Sequence, residues 1–287
     1  MNSKKPLISI IVPSFNSGQT LERSLRSVVE QDYPHKQLIV IDGGSKDESV
    51  SILKKYQSGI SYWISEPDRG IAHAWNKGLA QAKGEWICFL GSDDVFLDKM
   101  VFTRMVPHLV AQPENIRVVY GTLLLLSNHL EVIKVIGAPW EKLKRKFIGG
   151  VMLLPHPGTM HHKSLFQEHG FFNEDFKIAL DYEFLLRELK QNDADFINNL
   201  ITVGMLDGGT SNQAANKFAT LKEVRKALRL NGLYGWNFVN SVDWLRAILV
   251  NLMIKLLGER ITNKLRMKYR LSKSNELSNL IESKPYF

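Results

Sequence analysis

The chain has 287 residues, 44% hydrophobic and 23% charged, the composition of an ordinary soluble globular protein with one large domain and an appendage. Its net charge of +8 lies at one end, because residues 217–287 hold 14 Lys+Arg against 5 Asp+Glu; a negatively charged partner, nucleic acid or an anionic membrane surface, is therefore expected on the tail. The single cysteine, Cys88, sits inside an apolar run, which excludes an internal disulfide and points to a reducing compartment and a buried thiol.

The N-terminal MNSKKPLISIIVPS begins with basic residues, but LISIIV is too short for a signal peptide and ends at Pro13, so the expectation is a first buried strand of an unsecreted protein. Apolar runs and amphipathic stretches then alternate. LISIIVPSF precedes TLERSLRSVVEQ, QLIVID precedes DESVSILKKY, SYWIS precedes IAHAWNKGLAQA, and EWICFL follows. Short β-branched and aromatic runs separated by helical stretches of about a dozen residues predict right-handed βαβ units and a mostly parallel sheet. Ligands of such sheets bind beyond the carboxyl ends of the strands.

Those ends read Pro13-Ser14-Phe15-Asn16, Asp42-Gly43-Gly44-Ser45, Glu66-Pro67-Asp68-Arg69-Gly70 and Gly91-Ser92-Asp93-Asp94. Each alone is a commonplace turn or helix cap. Their repetition at successive strand ends instead suits a ribose, a base edge and a divalent cation, since Mg²⁺ or Mn²⁺ takes hard oxygen ligands and binds through one or two carboxylates plus phosphates. No G-x-G-x-x-G follows the first strand and no G-x-x-x-x-G-K-[ST] occurs, so neither a dehydrogenase cofactor site nor a P-loop is supported.

In order and spacing, IIVPSFN, VIDGGSKDES and EPDRGIAHAWNKGLAQAKGEWICFLGSDD resemble the nucleotide-binding half of the family 2 glycosyltransferases, densely over residues 7–100 and more thinly to about residue 212. The resemblance implies the GT-A fold, an α/β architecture with a mostly parallel central sheet flanked by helices, and glycosidic-bond formation from a nucleotide-diphospho-sugar. It implies that Pro13, Phe15 and Asn16 line the nucleotide pocket, that Asp42 contacts base or ribose, that Asp68 contacts the base, and that Gly70, Asn76, Ser92 and Asp93 belong to the donor site. Asp93 and Asp94 match the family's carboxylate motif, which binds ribose and metal-bound diphosphate, so a divalent cation (Mg or Mn) is implied, with either aspartate as its direct ligand. Two positions depart from the pattern: Gly43 stands where a second acid follows the aspartate, and Gly91 where the D-x-D motif begins.

Transfer with inversion needs one carboxylate to take the proton of the acceptor hydroxyl and a separate cation to stabilise the departing diphosphate. In FFNEDFKIALDYEFLLREL the residues Leu180, Phe184, Leu185 and Leu189 recur at helical spacing, placing Asp175 and Asp181 near a helix start or in the loop before it. The family's catalytic base lies in an E-D-x-[DE] motif whose aspartate Asp181 matches, with Leu180 where glutamate is frequent; a helix cap is the ordinary alternative. His156, His161 and His162 do not have zinc-site spacing. By resemblance His156 lies on the acceptor side, with His161 and His162 as loop residues. Arg187 is expected to pair with Glu183 one turn away, and Asp207-Gly208-Gly209-Thr210-Ser211 resembles the loop that closes the family's domain.

The tail segment VDWLRAILVNLMIKLLGERITNKLRMKYRLSK has an apolar arc with a polar stripe at Asn251, Lys255 and Glu259, interrupted also by Arg246, so it is too polar for a membrane span. An interfacial helix fits better, with Trp244 and the leucines in the acyl boundary and Lys264, Arg266, Lys268 and Arg270 over anionic headgroups. Packing on the protein's own domain or on a second subunit of a homo-oligomer is the other option. The chain is thus expected to comprise a GT-A domain over 1–215, with 1–100 the donor half and 101–215 the acceptor half, and a basic helical extension over 216–287. It is expected to be cytoplasmic, peripheral at the inner face of the cell membrane, with a glycan or lipid-linked acceptor and no nucleic acid partner. A nucleotidyltransferase and a donor-binding scaffold without turnover are the rival functions.

Overall fold

The computed structural model describes residues 5–127, 129–207 and 216–233, with single residues and short runs between 245 and 265. The predicted alternation appears as β1 (Ile8–Ser14), α1 (Leu21–Val29), β2 (Lys36–Asp42), α2 (Ser49–Tyr56), β3 (Tyr62–Ser65), α3 (Ile71–Gln81) and β4 (Trp86–Phe89). Beyond it come β5 (Val95–Phe96), α4 (Val101–Ala111), β6 (Val118–Leu126), β7 (Val132–Ile136), α5 (Trp140–Ile148), β8 (Met160–His162), α6 (Ser164–His169), α7 (Leu180–Leu189), β9 (Asp195–Leu206) and α8 (Lys217–Leu230).

One sheet runs β3-β2-β1-β4-β8-β6-β9-β5, with β7 added on β6. Its first four strands are parallel, as the helical crossovers between them require. Past β4 it is mixed: β8 pairs antiparallel with both β4 and β6, β6 pairs parallel with β9, and β5 pairs antiparallel with β9. The change follows from what leaves β4. No helix carries the chain back; a short turn, Leu90 to Asp94, leads directly into β5.

Side chains alternate between the two faces of β1: Ile8, Ile10 and Val12 join Leu21, Leu25, Val28 and Phe102 on one side, and Ile11 joins Trp75, Leu79, Phe89 and Leu185 on the other. Both faces are covered, which is why these strands read as continuous apolar runs. Cys88 is buried, as expected, and burial pushes its thiol up to about 12. Val224, Ala227 and Leu228 of α8 belong to the same core as α7, so this helix, which starts just past residue 215, packs on the main body.

His161 and His162, expected in a loop, lie in β8, and His161 is fully buried against Phe89 and Phe184. A three-residue strand is too short to show a period. The Gly208–Ser211 stretch and Trp244, Arg246, Asn251, Glu259, Lys264, Arg266, Lys268 and Arg270 lie outside the described residues. Among the described residues no helix is long and apolar enough to cross a membrane.

The approach of α3 to β1 is set by Gly78, where an added Cβ would sit 2.4 Å from Ile11 Cγ2. A glycine in a helix interior is ordinarily improved by alanine by about 1 kcal/mol. Here Gly78→Ala is expected to destabilise instead, by about 1–3 kcal/mol from overpacking, measured as a lower denaturant midpoint at unchanged slope.

Candidate active site

Three of the four strand ends are stapled to one another. Asn16, at φ +49 in the left-handed region that asparagine tolerates, donates its N–H to Ser45 Oγ at 2.8 Å and accepts the Lys46 N–H at 3.0 Å. The Ser17 N–H donates to Ser49 Oγ at 2.9 Å, the Gly18 N–H to Asp47 Oδ2 at 2.8 Å, and Ser17 Oγ meets Ser92 Oγ at 2.8 Å. The loops after β1 and β2 and the turn after β4 thus form one ledge. Pro13 is the penultimate residue of β1, and beyond the strand Phe15 holds its ring 63% exposed.

Beneath that ring lies a carboxylate. A Cβ at Gly43 would lie 2.6 Å from Asp68 Oδ2 and 3.2 Å from Phe15 Cδ2, so the missing side chain leaves the space that Asp68 occupies. Asp68 Oδ1 accepts the N–H of Gly70, whose φ of +117 opens α3. Asp42 is placed differently from the expectation. It is 0% exposed; Oδ2 accepts the Gly44 and Ser45 N–H groups and the Ser65 hydroxyl, and Oδ1 accepts the Ser45 hydroxyl at 2.5 Å. With both oxygens engaged it braces the loop rather than facing a ligand. Asn76 is likewise turned inward: its Nδ2 donates to Phe172 O and its Oδ1 accepts the Phe172 N–H, both at 3.0 Å.

The turn after β4 gathers the two adjacent aspartates around a glycine. A Cβ at Gly91 would lie 2.6 Å from Asp94 Oδ2 and 2.8 Å from Asp93 Oδ1, so both carboxylates crowd the place where the family's first acid would stand. Asp94 Oδ2 accepts the Gly91 N–H at 3.1 Å, while Oδ1 is buried and accepts no hydrogen bond among the described residues. Asp94 is 4% exposed, and burial together with the Asp93 charge holds its carboxyl well above the usual carboxylate range, against the pull of the Gly91 N–H and Arg23. From α1, Arg23 donates to the Asp93 carbonyl at 3.4 Å and Ser24 Oγ to the Gly91 carbonyl at 3.0 Å. Among the described residues no three His, Cys, Asp or Glu side chains form a complete metal cage. Two hard carboxylates, one carrying an unpartnered buried oxygen, fit a cation that completes its shell with substrate phosphates.

Asp181 stands in the first turn of α7, and burial raises its carboxyl to about 6, with Glu223 adding to the rise and the Tyr182 N–H, at 2.7 Å, opposing it. Arg187 pairs with Glu183 one turn on, as expected. His156 is 5% exposed, 4.7 Å between centroids from Trp75 and stacked on Phe89 at 5.3 Å. Burial, and then His161, drive its basicity well below the usual imidazole range, so it is neutral at pH 7. Its segment is anchored beside β4, where the Gly158 N–H donates to Phe89 O at 3.1 Å.

A central sheet with acidic loops gathered at its carboxyl edge puts the candidate site where open α/β sheets bind their ligands. The glycosyl transferase family 2 model matches residues 9–166, and the chain belongs to that family. An uncharacterised glycosyltransferase of Mycobacterium tuberculosis is 36% identical over 184 residues, covering 63% of this chain and 68% of the relative. A PGL/p-HBAD biosynthesis glycosyltransferase of Mycobacterium bovis is 26% identical over 185 residues, covering 63% and 69%. The chain thus spans about two thirds of the length of these relatives. In fold it is similar to the mannosyltransferase PcManGT of Pyrobaculum calidifontis, solved with GDP-Man and Mn2+, at a TM-score of 0.63 and 16% identity over 99% of this chain and 82% of that one. It is similar also to S. aureus TarS, solved with UDP-GlcNAc, at a TM-score of 0.59 and 18% identity over 77% and 66%.

Arg23, Ser24, Ser65 and Glu223 were not legible as site residues. Arg23 and Ser24 lie inside a helix that reads as plain amphipathic, and Glu223 is the one acid in the basic stretch of α8.

Two substitutions test the crowding around Gly91. Gly91→Ala is expected to destabilise the protein and displace both carboxylates. Asp94→Asn is expected to raise the melting temperature in EDTA at pH 7: a carboxyl whose folded-state affinity for protons is raised costs stability once pH exceeds its ordinary value of 3.8. The gain should vanish below that value, where both states are protonated; a scan from pH 3 to 8 checks the sign.

Proposed function

We propose that the protein is an inverting, divalent-metal-assisted glycosyltransferase that moves a sugar from a nucleotide-diphospho-sugar to a hydroxyl of a glycan or lipid-linked acceptor in cell-surface polysaccharide synthesis. The observation that carries the reading is the buried, unpartnered Asp94 Oδ1 beside Asp93 at the end of the central strand. It is supported by the family and by the names of the similar proteins, several of which were solved with nucleotide sugars or Mn2+.

In this mechanism Phe15 stacks on the base and Asp68 accepts its ring N–H, while the Asn16–Ser92 ledge seats the ribose. Asp93 and Asp94 would hold the divalent cation, which when bound would supply Lewis-acid stabilisation of the departing diphosphate. Asp181 accepts the proton of the acceptor hydroxyl as its oxygen bonds to the anomeric carbon; the bond from that carbon to the phosphate oxygen breaks on the opposite face, and the nucleoside diphosphate leaves with the electron pair. A carboxyl raised to about 6 is well matched to taking a proton near neutrality. His156, neutral and enclosed by rings, forms part of the acceptor-side floor.

The chain is further proposed to sit peripherally on the inner face of the membrane. In support, Leu245, Ile248, Leu249, Leu252 and Leu256 recur at helical spacing with their side chains outward, Leu256 at 82% exposure. Changing Leu249, Leu252 and Leu256 together to serine is expected to abolish flotation with anionic vesicles; undiminished flotation would remove the membrane from the proposal.

Calorimetric titration with UDP-, GDP- and dTDP-sugars, each with Mn²⁺ or EDTA, tests the donor site. One nucleotide should bind with metal dependence that Asp93→Ala and Asp94→Ala abolish; silence across the panel would overturn the donor-site reading, and donor binding without turnover would favour a scaffold. Asp181→Asn is expected to leave donor affinity intact and lower kcat by about 10²–10⁴. In the unmodified enzyme kcat should fall as pH drops through about 6, where Asp181 takes up its proton.

A further inference from the structure

The geometry points to Glu223, on α8, as the positioning residue of Asp181, making the helix that follows residue 215 a working part of the acceptor side. This rests on the assignment of Asp181 as the base. The first N–H groups of a helix lack partners within it, and the residue at the cap of α7, Ala179, has no polar side chain to offer them. The missing acceptor comes from another helix. Glu223 Oε1 accepts the Lys177 N–H at 2.9 Å, and Oε2 accepts the Ile178 N–H at 2.9 Å and the Ala179 N–H at 2.8 Å. A carboxylate taking three N–H groups of the segment that leads into α7, the last of them at its cap, is a charge-assisted clamp on the side of the helix that its dipole makes favourable to negative charge.

The clamp is fixed at both ends. Val224, Ala227 and Leu228 bury the flank of α8 from which Glu223 projects, and Lys190 Nζ at the far end of α7 reaches Asn231 Oδ1 at 3.2 Å. On the other side, Lys177 Nζ donates to Arg69 O at 3.1 Å, and Arg69 pairs with Glu174 at 2.7 Å, so the clamped segment is also tied to the loop that carries Asp68. Asp181 follows Ala179 by two residues. Its place is therefore set by Glu223 as much as by α7. An ordinary surface acid on α8, flanked by Lys222, Arg225 and Lys226, would turn to those cations; Glu223 gives both oxygens to the backbone of another segment.

Among the described residues, the charged groups around Asp181 are already engaged. Glu223 contributes from α8; Lys226 lies 3.7 Å from Asp175, and Lys177 turns to the Arg69 carbonyl. On α7 itself Glu183 is held by Arg187. Removing the Glu223 charge takes away a contribution that disfavours ionised Asp181, so the acid limb of the rate profile should move to lower pH. A purely structural contact would lower the amount of folded enzyme without moving that limb.

The experiment uses the full chain and the nucleotide sugar selected by calorimetry, comparing Glu223→Ala, Glu223→Gln and Asp181→Asn in donor Kd, melting temperature and kcat from pH 5 to 8. Donor Kd is expected within about two-fold for all three. Glu223→Ala should lose roughly ten-fold or more in kcat per folded molecule, the scale expected for a misplaced reacting group. Glu223→Gln, which keeps an acceptor oxygen but not the charge, should recover part of that loss with its acid limb shifted downward. If both Glu223 variants match the parent in kcat and acid limb, or lose activity only in proportion to unfolding, the positioning role is overturned while the base assignment stands. Full turnover by Asp181→Asn would overturn the base assignment, and the positioning role with it.

Discussion

Two like charges on neighbouring residues at the mouth of a buried strand repel each other strongly where water is scarce, and the fold is arranged around holding them there. Gly91 makes the room. The β1 and β8 neighbours of β4 fix where the turn starts, α1 leans on it through Arg23 and Ser24, and Ser17 joins it to the first loop. The guanidinium of Arg23 offsets part of the repulsion from within the protein, but among the described residues Asp94 still keeps an oxygen without a hydrogen-bond partner. In the proposed mechanism a cation brought with the substrate would remove that cost, and donor binding would then order the turn.

The same logic explains why two expected acids are absent. At Gly43 and at Gly91 the vacated space is filled by a carboxylate from elsewhere: Asp68 from the loop after β3 in the first case, Asp93 and Asp94 from the same turn in the second. Restoring an acid at either position would place a further carboxylate against those already present.

The first hundred residues were legible because β1, β2 and β4 bury both faces and the helices between them carry an apolar stripe, so their periods differ sharply. What followed was legible in outline only. β5 and β8 have two and three residues, and their partners lie far along the chain. Asp42 resembled a ligand because it ends a strand; that Ser45 and Ser65 saturate it depends on how two loops meet. The partner of Asn76 was equally out of reach of the sequence, since it is the backbone 96 residues away. Glu223 was hidden by the basic character of its own helix, which invites a reading as a solvated face, while its bonds run to a segment more than forty residues earlier.

Cys88 carries one more consequence. It is the chain's single thiol, lies in the middle of β4 without exposure, and holds its proton up to about 12. Because the thiolate is the reactive form, this sulfur is chemically silent at neutral pH in the native state. The natural protein is therefore already a blank background for spectroscopic labelling: a cysteine introduced at the Phe15 rim or on the Leu256 face would be the one group to react, and burst labelling of Cys88 itself would report the moments when the central strand opens.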